Sequence, residues 1–449
     1  MNDPGMGKNN RSRRAAKQRK RQRAEPRRAP DAGPSMPPDA DDVAADAITH
    51  ARWEHHRGVP VGECVRPLLA LPDGRIDQAI DAVFANLSRG LFAGGWAPVD
   101  LFEVSRRRAD AAGSSYLVDA VAGVTAEYPD HLVDPRWLAQ LEQIEGRVWW
   151  DRHRPQLGQW AARHSRARHD ALTMVIELLT MCDELQRIEQ VLPPPGTSTH
   201  IGSVRAVDAT QERILAKVRA LLAKAESTDF DGEAEALSAK AQQLMSRYAL
   251  DRAMLDHARG ARQQAMLCRI WLDNPYVSAK AMLVDAVASA NRCRTVLDNR
   301  FGSMTIVGDH GDLRVVELLA TSLLLQGARA MLSIGSQPSR SGVSRTRSYR
   351  QAFLVAYASR IGERLRAANE ATVSASDAGR LLPVLSSRSL AVDELMEKTF
   401  PRLVQKRVSV SNAAGWGAGT AAADLALLEV HGALSDRTRT DQRRSKAAG

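Results

Sequence analysis

Cysteine is scarce and never paired in spacing: the 449-residue chain has four, Cys64, Cys182, Cys268 and Cys293, and no CxxC. That argues against a disulfide framework and against a cysteine zinc site, and it points to a reducing cytoplasm. No uninterrupted apolar run reaches the ~18 residues of a membrane-spanning helix. The longest candidate, Ala171 to Cys182, stops at Asp183 and Glu184. The first residues are polar and basic with no apolar stretch, so no secretory signal is expected. These absences predict a cytoplasmic protein without a membrane partner.

Several catalytic signatures are missing too. There is no HExxH, no GxSxG elbow and no local Cys/His or Ser/His/Asp arrangement. His50, Glu54, His55 and His56 form only a weak pair at i, i+4, and His164 and His169 are five apart, which misplaces them on one helix face. Zinc wants three or four ligands, so no metal and no cofactor is expected. A site assembled from distant residues leaves no local signature, and whether the chain is an enzyme stays open.

What is present is charge, and its distribution matters more than its sum. The net charge is +10. Residues 1–28 carry eleven Lys and Arg against Asp3 and Glu25, a net of +9. Residues 436–449 carry five against two, a net of +3, which leaves everything between at −2. Basicity therefore describes the ends, not the predicted folded body.

The pattern predicts a mainly α protein: a helical N-terminal domain, an αα-hairpin, and a C-terminal α+β domain with a small β-hairpin. Residues 1–42, basic then Pro-rich, read as a disordered tail. A helical domain follows over 43–192. Its signals are a helix end at the paired glycines before Trp96, helical spacing of Trp137, Leu138, Leu141 and Ile144, and an apolar stripe of Leu172, Val175, Ile176 and Leu179. The Pro-rich stretch opens a linker at 193–210. A hairpin of two amphipathic helices spans 211–257, with Ile214, Val218 and Leu221 on one stripe and Leu237, Leu244 and Tyr248 on the other. Between them lies the turn 227–232, and Glu233 and Glu235 sit where the helix dipole favours acids.

The α+β domain is placed at 265–370. It has strand candidates at 269–272, 294–297 and 303–307, the turn Asp298–Gly302, and helices at 276–292 and 312–332. Tyr349, Phe353, Ile361 and Leu365 mark a further helix. A linker at 371–388, a helical region at 389–435 and a disordered basic tail at 436–449 complete the reading.

The hairpin carries a resemblance. Lys217-Val-Arg-Ala-Leu-Leu-Ala-Lys-Ala-Glu-Ser-Thr228, Glu233-Ala-Glu-Ala236, Lys240-Ala-Gln-Gln-Leu-Met245 and Tyr248 together resemble the bacterial and phage domain of unknown function numbered twenty-seven eighty-six. The stretch from Trp271 to Leu365 is similar to the α+β domain that often follows it, through Pro275-Tyr276, Gly308, Ser322-Leu323, Ser348-Tyr-Arg350 and Arg364-Leu365. The resemblance implies a fold and a domain order. It brings no catalytic residue, because the family has no established activity.

Four features are candidates for binding. The basic run, with Arg13, Arg14, Lys17, Arg19, Lys20 and Arg21, suits sequence-independent contact with DNA or RNA phosphates through counterion release. The alternative is a solubilising tail. Arg340, Arg345, Arg347 and Arg350 lie in or beside a Ser/Gly loop without acids, where arginine forks at a helix N-terminus suit phosphate. The alternative is a surface loop. Lys217, Lys224, Lys240 and Arg247 on the hairpin could meet a phosphate backbone but fit a solvated helix face better, and the hairpin is also a candidate dock for a partner protein. Trp149, Trp150 and Trp160, set among Arg147, Arg152 and Arg154, could stack single-stranded bases, though tryptophans in a helical domain are more often core anchors. Gly415-Trp-Gly-Ala-Gly419 lacks the spacing of a phosphate loop and is expected to let two helices approach closely.

Overall fold

The computed structural model describes residues 40–198, 265–333, 346–374, 378–404 and 412–426, together with Arg213, Ala216, Lys217, Ala220 and Leu244. Both basic tails and nearly all of the hairpin lie outside the described residues. Within them the protein is mainly α with one small sheet, as the pattern predicts.

The N-terminal unit is built from α1 (Ala40–His56), α2 (Val61–Val65), α3 (Asp73–Ala93), α4 (Pro98–Arg108), α5 (Ala111–Thr125), α6 (Pro135–Gln143), α7 (Gln156–Arg163) and α8 (Arg168–Asp183). Local chemistry sets its boundaries. Asp110 caps α5 by accepting from Gly113 N at 2.7 Å, and Asp134 caps α6 through Arg136 N at 2.9 Å. Pro98 starts α4, where its missing N–H is no loss. The paired glycines end α3 as expected. Gly95 has φ +97°, and a Cβ there would overlap the carbonyl of Ile188, so the turn fits only glycine. The predicted stripe Leu172, Val175, Ile176 and Leu179 is fully buried on α8, and Trp96, Trp137 and Trp160 anchor the same core. Leu138 departs from its predicted stripe and is 40% exposed.

The C-terminal unit holds β1 (Ala265–Trp271), α9 (Val277–Ala290), β2 (Arg294–Asp298), β3 (Ser303–Asp309), α10 (His310–Ser333), α11 (Thr346–Ser374), α12 (Ala378–Thr399) and α13 (Ala413–Leu425). The sheet is antiparallel in the order β1-β3-β2, with Arg269 opposite Thr305 and Val296 opposite Thr305 from the other side. Its second core gathers Val284 and Val287 of α9, Ile306 of β3, Leu319 and Leu323 of α10, and Phe353, Ile361 and Leu365 of α11. Leu244, one of the predicted stripe residues of the hairpin, is helical and packs against this core.

One expectation needs correction. Residues 371–388 do not form a linker: α11 runs to Ser374 and α12 begins at Ala378. Gly379, Pro383 and the serines at 386, 387 and 389 suggest a break, yet all of them fall within α12. Among the described residues, α10 alone is long and apolar enough to cross a membrane by length and composition, with charged residues interrupting its apolar run. Leu313, Val316, Leu319, Ala320 and Leu323 of that helix are buried in the second core.

The glycine cluster behaves as expected. Gly415 and Gly419, one turn apart on α13, lie against α11 so closely that a Cβ on either would overlap the carbonyl oxygen of Tyr349 or Phe353. Arg364 of α11 then donates to Ala426 O at 2.8 Å and also to Ala423 O, satisfying carbonyls at the end of α13.

Candidate functional site

Strand periodicity creates the first constellation. Alternate residues of a strand face opposite sides. Met266, Cys268 and Ile270 of β1 face the C-terminal core, while Leu267 and Trp271 pack on the N-terminal one. Arg269 shares that second face and meets Asp100 of α4. Its Nη1 donates to Asp100 Oδ2 at 2.5 Å, and both side chains are almost wholly buried, 3% and 4% exposed. Trp271 Nε1 donates to Asp100 Oδ1 at 2.8 Å, Ala97 N donates to Oδ2 at 3.0 Å, and Arg269 Nη2 donates to Glu189 O at 2.5 Å. Burial pushes the Asp100 carboxyl above its ordinary range, against the pull of Arg269, Trp271 and the Ala97 amide. Asp273 just past β1 accepts from Arg106 at 2.6 Å and Arg107 at 2.9 Å, and Arg107 lies over the Trp271 ring at 4.9 Å. Partial burial raises the Asp273 carboxyl, but these arginines outweigh it and hold it below the usual range. Every charge in this seam has a partner, so it clasps two units and leaves no open position for chemistry.

The second constellation is open. A cavity of about 720 Å³ lies between α4, α5, the segment 144–149 after α6 and the end of α7. Trp149 forms part of it, its Nε1 donating to Asp119 Oδ2 at 2.6 Å. Arg163 lies over the Trp149 ring, 4.2 Å from the centroid. Burial raises the Asp119 carboxyl, and the bonds from Trp149 and the Arg147 amide, with the charges of Arg163 and His164, act in the opposite direction. Arg147 and Arg163 both border the cavity, and among the described residues neither guanidinium is hydrogen-bonded to a carboxylate. Ser114 borders it too, with its hydroxyl buried and without a hydrogen-bond partner. The arrangement can hold an anion beside an aromatic platform.

The predicted site residues fare unequally. Arg13, Arg14, Lys17, Arg19, Lys20, Arg21, Arg340 and Arg345 lie outside the described residues, as do Lys224, Lys240 and Arg247. Arg347 is exposed and Arg350 half-buried in the first turn of α11, where one of them alone, Arg350, has a buried Nε without a partner. Lys217 is helical and exposed. Of the tryptophan cluster, Trp160 is a core anchor with the His164 ring tilted against it at 4.6 Å, whereas Trp149 belongs to the cavity. Ser114 and Asp119 stand five apart on α5 and Arg163 ends α7, a set with no local spacing that marks a site in the sequence. Among the described residues no three His, Cys, Asp or Glu side chains converge as a metal site requires.

Residues 213–252 match the family model described as a protein of unknown function, DUF2786. The match falls on the hairpin, where the resemblance was drawn. No curated protein and no solved structure matches the chain.

Proposed function

We propose that this is a non-catalytic, nucleic-acid-associated protein that holds DNA or RNA without sequence preference. One observation carries the reading: residues 1–28 hold a net charge of +9, against −2 for everything between the two basic ends. A charge of that density neutralises phosphates and releases their counterions, a mechanism that needs no ordered side chains and reads no bases. Exposed Arg347 at the start of α11 is a candidate for an additional phosphate contact. Mobility shift against salt, with the full chain and with residues 1–28 removed, tests the reading. Removal should weaken binding and flatten the dependence of log K on log salt by about 0.9 per lost phosphate contact on duplex DNA. Unchanged affinity together with an unchanged slope would refute it.

A further inference from the structure

We infer that the cavity between α4, α5, α7 and the 144–149 segment binds a nucleoside phosphate, the phosphate between Arg147 and Arg163 and the base against the aromatic platform. Three observations support this independently of the basic tail. Arg147 and Arg163 come from different elements and border one cavity, and among the described residues neither guanidinium is hydrogen-bonded to a carboxylate, although the charge of Arg163 acts on Asp119. Two such forks match the geometry of a phosphate monoester. Trp149 is held by its bond to Asp119 and carries Arg163 over its ring, 4.2 Å from the centroid. Planar bases stack on such surfaces whatever their identity. Ser114 is 5% exposed, yet its buried hydroxyl has no partner. A buried hydroxyl left without a partner beside a cavity is a polar feature that the packing alone does not account for.

The cavity, about 720 Å³, falls in the ~300–1,000 Å³ range of small-molecule sites. Phe102, Val118 and Ile144 add apolar lining for the body of the ligand. Two acids oppose an anion here. Asp119 is engaged by Trp149 and the Arg147 amide, and Glu145 is exposed. The same chemistry is offered by a free mononucleotide and by the phosphorylated end of a nucleic-acid strand.

Titration calorimetry on the full chain with AMP, adenosine and inorganic phosphate tests the site. AMP should bind at least about tenfold more tightly than either fragment. Arg147→Ala and Arg163→Ala should each weaken AMP about tenfold, the scale of one lost charged hydrogen bond. Arg152→Ala, an exposed neighbour outside the cavity, should leave it unchanged. Arg163→Lys keeps the charge and loses the fork, so it should still weaken AMP severalfold while the thermal midpoint is retained. A 5′-phosphorylated tetranucleotide that outbinds AMP, while its 5′-hydroxyl form does not, identifies a strand end as the ligand. AMP outbinding both identifies a free nucleotide. Equal binding of AMP and adenosine, no binding of AMP at about 10 mM, or indifference to both alanine variants would overturn the site. None of these results touches the tail-dependent salt slope, so failure of the cavity and failure of the tail are separable.

Discussion

Asp81 sits half-buried on α3, where its carboxylate accepts a single backbone bond from Gln156 at 3.1 Å. Loss of hydration, with a smaller push from Asp77, moves its carboxyl up to about 6. The folded state therefore holds this proton more tightly than the unfolded chain does. Its contribution favours folding below about pH 4 and declines as pH rises from ~4 to ~6. Asp81→Asn should match the parent at pH 4 and exceed it by roughly 1–2 kcal/mol at pH 7. Urea unfolding at both values checks this, and parallel pH curves would sink it. Asp100 predicts the opposite response to truncation. Asp100→Ala leaves Arg269 buried and unpaired, which should cost about 3–5 kcal/mol, whereas Asp100→Leu with Arg269→Met should recover most of that loss. Denaturant midpoints distinguish the two. Glu145 has φ +59°, a conformation that costs a non-glycine residue roughly 1 kcal/mol.

At the scale of elements, α13 offers the sharpest contrast. Gly415→Ala and Gly419→Ala each force a methyl into a carbonyl of α11, and each should destabilise by about 3 kcal/mol or more, in the range of severe overpacking. Gly417 on the same helix faces open space, so Gly417→Ala should stabilise by about 0.5–1 kcal/mol through helix propensity. Thermal midpoints of the three variants check the pattern, and equal effects would disprove the packing account. The alternation of small and glycine residues made close approach legible in the sequence. Its partner was not legible, because nothing local says that Tyr349 and Phe353 lie opposite. The segment 371–388 is the converse case: its punctuating residues suggest a linker, yet α11 reaches Ser374 and α12 begins at Ala378, because propensity is a weak prior beside the rest of the segment.

For the whole molecule, two cores meet at the seam of Asp100, Arg269 and Trp271, with Trp96 against Phe301 at 5.2 Å. Calorimetry of Arg269→Ala should show the two cores melting less cooperatively than in the parent, which melts as one if the seam couples them. The tail belongs to this scale as well. The described core uses no residue before Ala44, so removing residues 1–28 changes the net charge from +10 to +1 while shifting the midpoint little. A large drop would mean that the tail contributes to the fold.

Composition and periodicity alone determined that the chain is mainly helical, that α8, α11 and the β2–β3 hairpin exist where they do, and that charge collects at the ends. These are local properties, written in spacing and turn chemistry over a few residues. Only the tertiary structure decided that Arg269 reaches Asp100, and that Ser114, Arg147, Trp149 and Arg163 border one cavity. Arg269 lies 169 residues from Asp100, and Ser114 and Arg163 lie on helices separate from the Arg147–Trp149 segment, so only the packing of helices around a shared core brings them within reach.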